Sequence, residues 1–462
     1  MVTQAGTGLA RIAVVAPTRR IDLALPEHLP LVGLLPAVLR HAEEDPSDGT
    51  ADGGWALRRT DGSTLDLART LAAQHIRDGE ILHLVPRRTQ WPELAYDDLM
   101  EAVAAGAARR GLSWTPGATR LTGLLTAVAL LMLGLVAVTA AAGGMPPAGV
   151  VVLATAAVLV VAGMVFSRAL ADSLAGAVLA AVALPYAFTG GALLLAGGAG
   201  VTSMGAPHLL VGSAALALAG VLGMLAVGDA SRVFVAAIFA GAAGALGALL
   251  AIGPVDAPRA AAVVAALVTL LLPAMPLLAV RSGKLPMPAL PRTAEDLVRD
   301  EPQPDRAEIY RATARADEML TGLILGAAAV TVAAVAALCL SGTVGAVLLA
   351  GVVSTGFLLR ARLVLTVRHR VPLLLAGLAG VGSLVLVAAA RSGAGAWLAV
   401  LLPALALAAA LAVAAGLAYS RRPPSPRLAR FGDGLDVAVQ LAVVPVSCAV
   451  LGLFGFMRAI NG

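Results

Sequence analysis

Between Leu121 and Ser167 the chain runs for 47 residues without an Asp, Glu, Lys, Arg or His. As a single helix this stretch would be roughly 70 Å long at about 1.5 Å per residue, whereas the hydrocarbon core of a bilayer is about 30 Å thick. Glycines and prolines cluster at 143–147, where they favour a turn. The stretch therefore predicts two membrane spans joined by a short loop.

The composition of the whole chain extends this prediction. Hydrophobic residues make up 59% of the sequence and charged residues 13%, whereas soluble domains contain about 25% charged residues. We therefore expect a polytopic membrane protein. The net charge of +5 is explained by membrane topology, so we expect no nucleic-acid partner. Cys339 and Cys448 lie in apolar segments, which indicates packing residues rather than a disulfide.

Apolar stretches long enough to cross a bilayer predict an α-helical membrane protein with 11 transmembrane helices. The boundary between the third and fourth spans is poorly defined, because no Asp, Glu, Lys or Arg lies between Asp172 and Asp229. The predicted spans cover residues 121–142, 147–166, 174–197, 208–228, 232–252, 259–280, 319–340, 343–360, 372–390, 396–419 and 434–457. The bundle thus occupies residues 121–457, and residues 458–462 form a tail.

The distribution of basic residues predicts the orientation of these spans. If the N-terminus is cytoplasmic, the cytoplasmic loops carry seventeen Arg and Lys residues, and the opposite side carries only Arg259, Arg391 and Arg458. Basic residues are enriched in cytoplasmic loops of membrane proteins. We therefore expect a cytoplasmic N-terminus and an extracytoplasmic C-terminus.

The predicted spans carry no ionisable residue near their centres. Ion-coupled carriers usually place such groups there, despite a cost of about 2.5 to 3.5 kcal/mol each. This argues against a secondary transporter. Glycines at 241, 244 and 247 predict one small face for close helix packing. Kinks are predicted within spans at Pro185, Pro273, Pro276, Pro403 and Pro445.

The residues before the first span predict a small soluble domain. After a flexible N-terminus at residues 1–9, alternating apolar residues indicate strands, and one stretch has the periodicity of an amphipathic helix. The predicted elements are strands at 12–16, 21–25, 55–60 and 81–85, a helix at 31–42, and Asp-Gly turns at 61–62 and 78–79. This order predicts an N-terminal β-grasp domain at residues 10–88.

One part of this domain resembles a known family. The stretch DGSTLDLARTLAAQHIRDGEILHLVPRR is similar to the second half of ubiquitin in its TL pair, its isolated Ile and its closing LHLV. No diglycine end follows, because the chain continues through Arg87, Arg88 and Trp91, and this excludes a conjugated modifier. The ubiquitin-like domain is therefore expected to be a binding module. A folded domain without a partner is the alternative.

The cytoplasmic linker at residues 89–120 predicts an amphipathic helix that starts at Pro92 and ends before Gly111. The helix is either a docking surface for a cytoplasmic partner, or it packs on its own head domain or on the bilayer. Its candidate docking residues are Tyr96, Asp97, Asp98, Leu99, Met100, Val103, Arg109 and Arg110.

A second candidate docking segment is the cytoplasmic insert at 281–318. A proline-rich stretch begins it, and a helix from Pro304 is predicted to run directly into span seven. Glu308 can pair with Arg311 three residues later, and Arg315 is the third candidate docking residue. A solvated connector without a partner is the alternative for this insert.

The sequence contains no recognisable catalytic or cofactor motif. The single lysine, Lys284, is not part of a GxxxxGK[ST] loop, and neither HExxH nor GxSxG occurs. The histidines show no metal-ligand spacing. We therefore expect no catalytic residue, no cofactor and no metal, and hence no enzyme.

Together these features resemble the EccD family, the polytopic membrane component of ESX type VII secretion systems of actinobacteria. The resemblance rests on the ubiquitin-like head, the uncharged spans and the stretch WALRRTDGSTLDLARTLAAQHIRDGEILHLVPR. It implies a bacterial inner-membrane complex with EccB, EccC and EccE, in which two EccD copies enclose a lipid-filled vestibule. It also implies that the head and linker contact the EccC ATPase, which drives protein export.

Two other classes of protein remain open at this point. A small-molecule exporter or permease with an appended head would fit the insert that divides the spans into six and five. A membrane receptor that signals through its head is a further possibility, but the sequence offers no sensor domain.

Overall fold

The computed structural model describes residues 8–16, 19–44, 54–76, 78–86, 114, 116–141, 148–196, 204–253, 255–284, 305–391, 393, 395, 397–421 and 425–461. The chain forms two compact units, Met1–Ser113 and Trp114–Gly462.

The described residues of the first unit form a small domain with a four-stranded sheet and one long helix. The strand order is β2-β1-β4-β3, with β1 parallel to β4 and the other two pairs antiparallel. This topology confirms the predicted β-grasp. Its elements are β1 (Leu9–Val15), β2 (Arg20–Pro26), helix α1 (Leu31–Ala42), β3 (Trp55–Arg59), a 3-10 turn (Ala72–Gln74) and β4 (Ile81–Pro86).

The core of this domain lies between the sheet and α1. Val14, Leu57 and Leu82 of the sheet are fully buried, as are Leu31 and Val38 of the helix. Alternate residues of a strand point to one face, and residues at helical spacing share one side of α1. The apolar residues that predicted the strands and the helix are therefore the residues that form this core.

The predicted turn at Asp61 and Gly62 is also present. Gly62 has a φ of 87°, which a glycine adopts without a steric penalty. The Asp61 carboxylate accepts hydrogen bonds from the Ser63 hydroxyl at 2.6 Å and from the Ser63 amide at 2.8 Å. These bonds, the hydroxyl first, hold the pKa of Asp61 below its usual value.

The second unit contains the 11 predicted spans, each a helix long and apolar enough to cross a membrane. They are named span one to span eleven in chain order. The spans are Pro116–Ala141, Ala148–Arg168, Ser173–Leu193, Ala206–Ala226, Ser231–Ile252, Ala257–Ser282, Arg306–Ser341, Val344–Ala361, Val367–Arg391, Ala399–Ser420 and Pro426–Val450.

Three spans depart from a regular helix, two of them near predicted kinks. Span six is interrupted by a 3-10 turn at Leu272–Ala274, which contains Pro273. Span ten begins within a π-helical turn at Trp397–Leu401, just before Pro403. Span eleven ends at Val450 rather than at the predicted residue 457. The chain leaves the helix there because Gly452 takes a φ of 76°, and a separate C-terminal helix follows at Leu453–Asn461.

Span seven is the longest helix and includes part of the insert. It has 36 residues and starts after Asp305, whose carboxylate accepts a hydrogen bond from the Ala307 amide. At about 1.5 Å per residue it is roughly 54 Å long, which exceeds the hydrocarbon core by several turns. The prediction that the insert helix runs directly into span seven is thus confirmed.

The spans pack around two separate apolar cores. One core joins spans one to five, and Phe234 of span five is fully buried in it. The other joins spans six to nine, with Leu338, Leu349 and Phe357 fully buried, and residues of span eleven pack against it. The insert follows span six, but the two cores meet at span five, because its residues Phe239, Ala240 and Ala243 pack against the second core.

Glycines bring the two cores together. A Cβ atom on Gly322 of span seven would lie 2.6 Å from the Cβ of Val235 and 2.7 Å from the carbonyl oxygen of Arg232, both on span five. Gly326, one turn later, would meet the Ala236 carbonyl at 2.8 Å. Small residues of this kind allow helix backbones to approach closely in a membrane.

The glycines of span five contact two neighbouring spans, although their spacing predicted a single contact face. Gly241 and Gly244 face span four, where added Cβ atoms would collide with Ser213 and Ala217. An added Cβ on Gly247 would instead lie 3.1 Å from Val264 of span six. Each step of three residues falls about 60° short of a full helical turn, so the row rotates from one neighbour to the next.

Candidate docking surface at the arginine-rich end of the membrane unit

One end of the membrane unit carries most of its basic side chains and is called the arginine-rich end. It comprises the ends of spans two to eleven that meet in the loops after spans two, four, six, eight and ten. The Arg168 side chain at the end of span two donates to the carbonyls of Leu225 at 2.5 Å and Ala226 at 3.1 Å at the end of span four. These helix C-termini are thereby stabilised by a positive charge.

The Arg232–Glu318 pair links span five to span seven at this end. The Arg232 guanidinium lies 2.9 Å from the Glu318 carboxylate, and the Arg232 amide donates to the same carboxylate at 3.2 Å. The pair lies beside the glycine contact between the two spans. One carboxylate therefore satisfies both the charge of Arg232 and an otherwise unpaired amide at a helix start.

His369 is the most deeply buried ionisable side chain of this end among the described residues, with only 4% of its surface exposed. Its Nε2 lies 2.9 Å from the Thr321 hydroxyl and 3.4 Å from the Asp317 carboxylate. Its Nδ1 lies 2.6 Å from the Thr366 hydroxyl. Both ring nitrogens therefore have partners, and the ring joins span seven to the start of span nine.

Two further ion pairs connect span eight to span eleven. Arg360 contacts Asp436 through two bonds of 3.1 and 3.0 Å, and both side chains are largely buried. Arg362 lies 2.6 Å from Asp433, whose side chain is 61% exposed. Asp433 and Asp436 are three residues apart and therefore share one side of span eleven.

A cavity of about 310 Å³ lies between the broken part of span six, span seven and the loop between spans eight and nine. Its lining is mostly apolar, with polar groups from Arg360, Thr366 and His369. Arg360 already binds Asp436, and His369 Nε2 lies 3.4 Å from Asp317, so both of these side chains have partners outside the cavity.

Asp172 begins span three at the same end. Its carboxylate accepts a hydrogen bond of 2.9 Å from the Ala175 amide and pairs with Arg120 of span one. The bond from Ala175 is the largest influence on the pKa of Asp172 and lowers it. Burial comes second and raises it, and the hydrogen bond and charge of Arg120 lower it, so the pKa is lowered overall. The carboxylate thus acts as a charged helix cap.

The candidate docking residues of the insert lie in the first turns of span seven. Glu308 and Arg311 are exposed there. The predicted pairing of these two side chains is wrong, since no ion pair joins them in the described part of the chain. The Arg311 side chain instead donates a hydrogen bond to the Ala307 carbonyl at 3.2 Å. Arg315 donates to the Gly283 carbonyl at 3.4 Å, so it helps to hold the end of span six.

The candidate residues of the linker helix lie outside the described residues, and their docking role stays a prediction. These residues are Tyr96, Asp97, Asp98, Leu99, Met100, Val103, Arg109 and Arg110.

The acidic partners at this end were not predicted from the sequence. The arginines predicted the orientation of the spans, but the carboxylates of Asp317, Glu318, Asp433 and Asp436 were not assigned to them. A signal was available, because each of these acids lies close to the arginine-rich end of its helix. Within the described parts of the chain, no group of three or more His, Cys, Asp or Glu side chains is placed to hold a metal ion.

The two units define a class of protein: a multi-pass membrane protein with 11 apolar spans in its described residues and a ubiquitin-like head. Residues 119–460 match the family described as EccD-like transmembrane domain. Residues 9–84 match the family described as WXG100 protein secretion system (Wss), protein YukD. The chain belongs to the EccD family of type VII secretion membrane components.

Similarity to named proteins supports this family assignment. The chain is 31% identical over 473 aligned residues to the ESX-4 secretion system protein eccD4 from two strains of Mycobacterium tuberculosis, with 98% of each chain covered. It is also similar in fold to protomer 1 of the ESX-3 core complex, with a TM-score of 0.60, 24% identity, and 97% and 100% of the two chains covered. A chain of the MycP5-free ESX-5 inner membrane complex in State II gives a TM-score of 0.60, with 20% identity and 88% and 99% covered.

Proposed function

We propose that this protein is a non-catalytic scaffold of an ESX inner-membrane secretion complex that docks its ATPase at the arginine-rich end and through the head and linker. The observation that carries the proposal is the concentration of charge at one end of a bundle whose remaining length is apolar. An uncharged bundle supplies a membrane frame, and a charged end supplies an aqueous contact surface. The energy for export then comes from the partner ATPase.

The orientation that we propose places the N-terminus and the arginine-rich end in the cytoplasm. The positive-inside rule supports this, since seventeen of the basic residues in the membrane part lie on that side and three on the other. A C-terminal reporter fusion tests it. Activity of an extracytoplasmic reporter is expected, and activity of a cytoplasmic reporter alone would contradict the orientation.

The first turns of span seven are suited to serve as a rigid docking arm. Ala312 and Ala316 are buried on one side, where Ala316 packs against Gly283 at the end of span six. On the other sides Tyr310 is 73% exposed and Arg311 is also exposed. An exposed aromatic residue beside an arginine is typical of a protein interface.

The scaffold is proposed to pair with a second copy and to enclose a membrane vestibule, together with EccB-, EccC- and EccE-type components and lipids. Support comes from span ten, whose apolar window contains no buried residue in the described chain. Such a helix is covered by lipid or by another protein. The similarity to protomers of ESX core complexes supports the second of these choices.

Co-purification in mild detergent tests the docking proposal. The unmodified chain is expected to bring down an assembly that contains an ATPase. The Arg311→Glu variant should recover several-fold less ATPase, because the charge of the arm is reversed. Arg259→Glu is the matched control, since Arg259 is an exposed arginine at the opposite end. Equal losses for both variants would contradict docking at the arginine-rich end.

An exporter of small molecules is the second candidate, and one observation favours it. The cavity of about 310 Å³ beside the broken span six is large enough for a small ligand. Solute transport by the isolated chain in liposomes, with no ATPase in the purified assembly, would support the exporter and contradict the scaffold. Recovery of the ATPase without solute transport supports the scaffold.

A further inference from the structure

The end of span eleven lies at the arginine-poor end of the bundle, beside the start of span eight. A Cβ atom added to Gly345, at the start of span eight, would lie 3.4 Å from the Val450 side chain. The turn just before Gly345 includes Gly342, whose carbonyl accepts a hydrogen bond of 2.8 Å from the charged Arg391. A turn with a bound arginine marks the boundary of the bilayer, and Val450 lies beside it.

The chain does not continue in the same direction beyond this point. Gly452 takes a φ of 76°, and its amide bonds to the Ala449 carbonyl at 3.1 Å, which ends the helix. The C-terminal helix Leu453–Asn461 begins at the next residue. Chain connectivity therefore places the start of this helix at the arginine-poor end of the bundle, next to the turn that binds Arg391.

The C-terminal helix exposes a continuous apolar side. Leu453, Phe456 and Met457 are 44%, 65% and 61% exposed, and their spacing of three and four residues places them on one face. Phe454, which is 55% exposed, flanks this face. Exposure of large apolar side chains to water is unfavourable, so we expect lipid or protein to cover this face.

We propose that the C-terminal helix lies flat in the lipid interface of the leaflet at the arginine-poor end. Leu453, Phe456 and Met457 enter the boundary between head groups and acyl chains, and Arg458 reaches the phosphate groups. Short amphipathic helices with aromatic residues and a basic residue bind to this layer, and this one is already delivered to it by span eleven. The helix anchors the end of span eleven and sets its depth, independently of any role in secretion.

Spin-label accessibility of the full chain in lipid nanodiscs tests this inference. Cys339 and Cys448 are first replaced by alanine, and single cysteines are introduced by Met457→Cys on the apolar face and Gly455→Cys on the opposite side. Collision with oxygen reports lipid exposure, and collision with a water-soluble nickel chelate reports water exposure. Two exposed positions give the references: Leu133→Cys within span one and Leu365→Cys in the loop between spans eight and nine.

The ratio of oxygen to nickel collisions is expected to be several-fold higher at 457 than at 455, with 457 similar to the reference in span one. A water-like ratio at both positions would overturn the inference, because the helix would then lie in solution. Shielding from both reagents would also overturn it, because a protein surface, including a second copy, would then cover the helix. Labels at Leu453→Cys and Ala459→Cys repeat the comparison if either first variant fails to fold.

Discussion

The Arg360 guanidinium meets the Asp436 carboxylate through two contacts, at 3.1 Å between Nε and Oδ1 and at 3.0 Å between the terminal nitrogen and Oδ2. The side chains are only 19% and 9% exposed. A two-point arginine–carboxylate contact with little access to water fixes geometry as well as charge. It therefore determines how span eight and span eleven meet.

Removing one partner of this pair should be costly. Asp436→Asn leaves the Arg360 charge buried without a counter-charge, and we expect a loss of about 3–5 kcal/mol in the free energy of unfolding. The double variant Arg360→Met with Asp436→Leu should recover most of the loss, since an apolar pair needs no desolvation of charge. Unfolding in detergent followed by circular dichroism measures both.

The exposed pair beside it provides the control. Asp433→Asn removes the partner of Arg362, but Asp433 is 61% exposed, so the expected loss is only about 0–1 kcal/mol. Equal losses at the two positions would show that burial does not decide the strength of these pairs.

Gly322 is predicted to be the most sensitive position of the contact between spans five and seven. In Gly322→Ala the new methyl group would lie 2.6 Å from the Val235 Cβ and 2.7 Å from the Arg232 carbonyl oxygen, so the backbones must separate. We expect a loss on the order of 1–3 kcal/mol, as for other overpacked sites. Thermal unfolding of the purified chain measures it.

Gly416→Ala is the matched substitution. Gly416 also lies in a span, but an added Cβ has no atom within 4 Å. Alanine is favoured over glycine in a helix, so this variant should be unchanged or slightly more stable. If both variants lost a similar amount of stability, the loss would come from changed helix flexibility and not from the contact between spans five and seven.

The elements of this protein were predictable from its sequence, but most of their contacts were not. The composition and length of the charge-free run from Leu121 to Ser167 are enough to predict two spans. The alternating apolar residues of the strands are enough to predict the head domain. In contrast, Asp436 meets Arg360 although 76 residues separate them. No local pattern encodes such a pair.

The errors have the same origin. The end of span eleven was misplaced because the apolar sequence continues to residue 457, and only the left-handed conformation of Gly452 shows that the helix stops. The glycine row of span five was assigned to one face because spacing alone does not show which neighbours surround it. Length, period and composition are local quantities, whereas these features depend on tertiary packing.

Asp172 gives a prediction about pH. The Ala175 amide and Arg120 lower its pKa in the folded state, so its stabilising effect is full above the unfolded pKa of about 3.9 and is lost as the pH falls through the folded value. Asp172→Asn should therefore lower the melting temperature at neutral pH. The difference from the unmodified chain should shrink as the pH is lowered below about 4. Melting curves between neutral and acidic pH measure it.

Arg120→Gln separates the two causes of this effect. The hydrogen bond from Ala175 is the largest cause, so the pH dependence should become smaller in Arg120→Gln but should remain. Its complete loss would instead assign the lowered pKa to the arginine.

Arg311 and Arg315 are expected to differ, although both lie on the first turns of span seven. Arg315 donates to the Gly283 carbonyl at 3.4 Å, so Arg315→Ala should lower the melting temperature by loosening the end of span six. Arg311 contacts only the Ala307 carbonyl of its own helix among the described residues, so Arg311→Ala should leave the melting temperature unchanged while reducing the ATPase recovered with the complex. Thermal unfolding and co-purification of both variants make this comparison. Loss of ATPase only in Arg315→Ala, together with lower stability, would mean that the arm acts through the bundle and not as a contact surface.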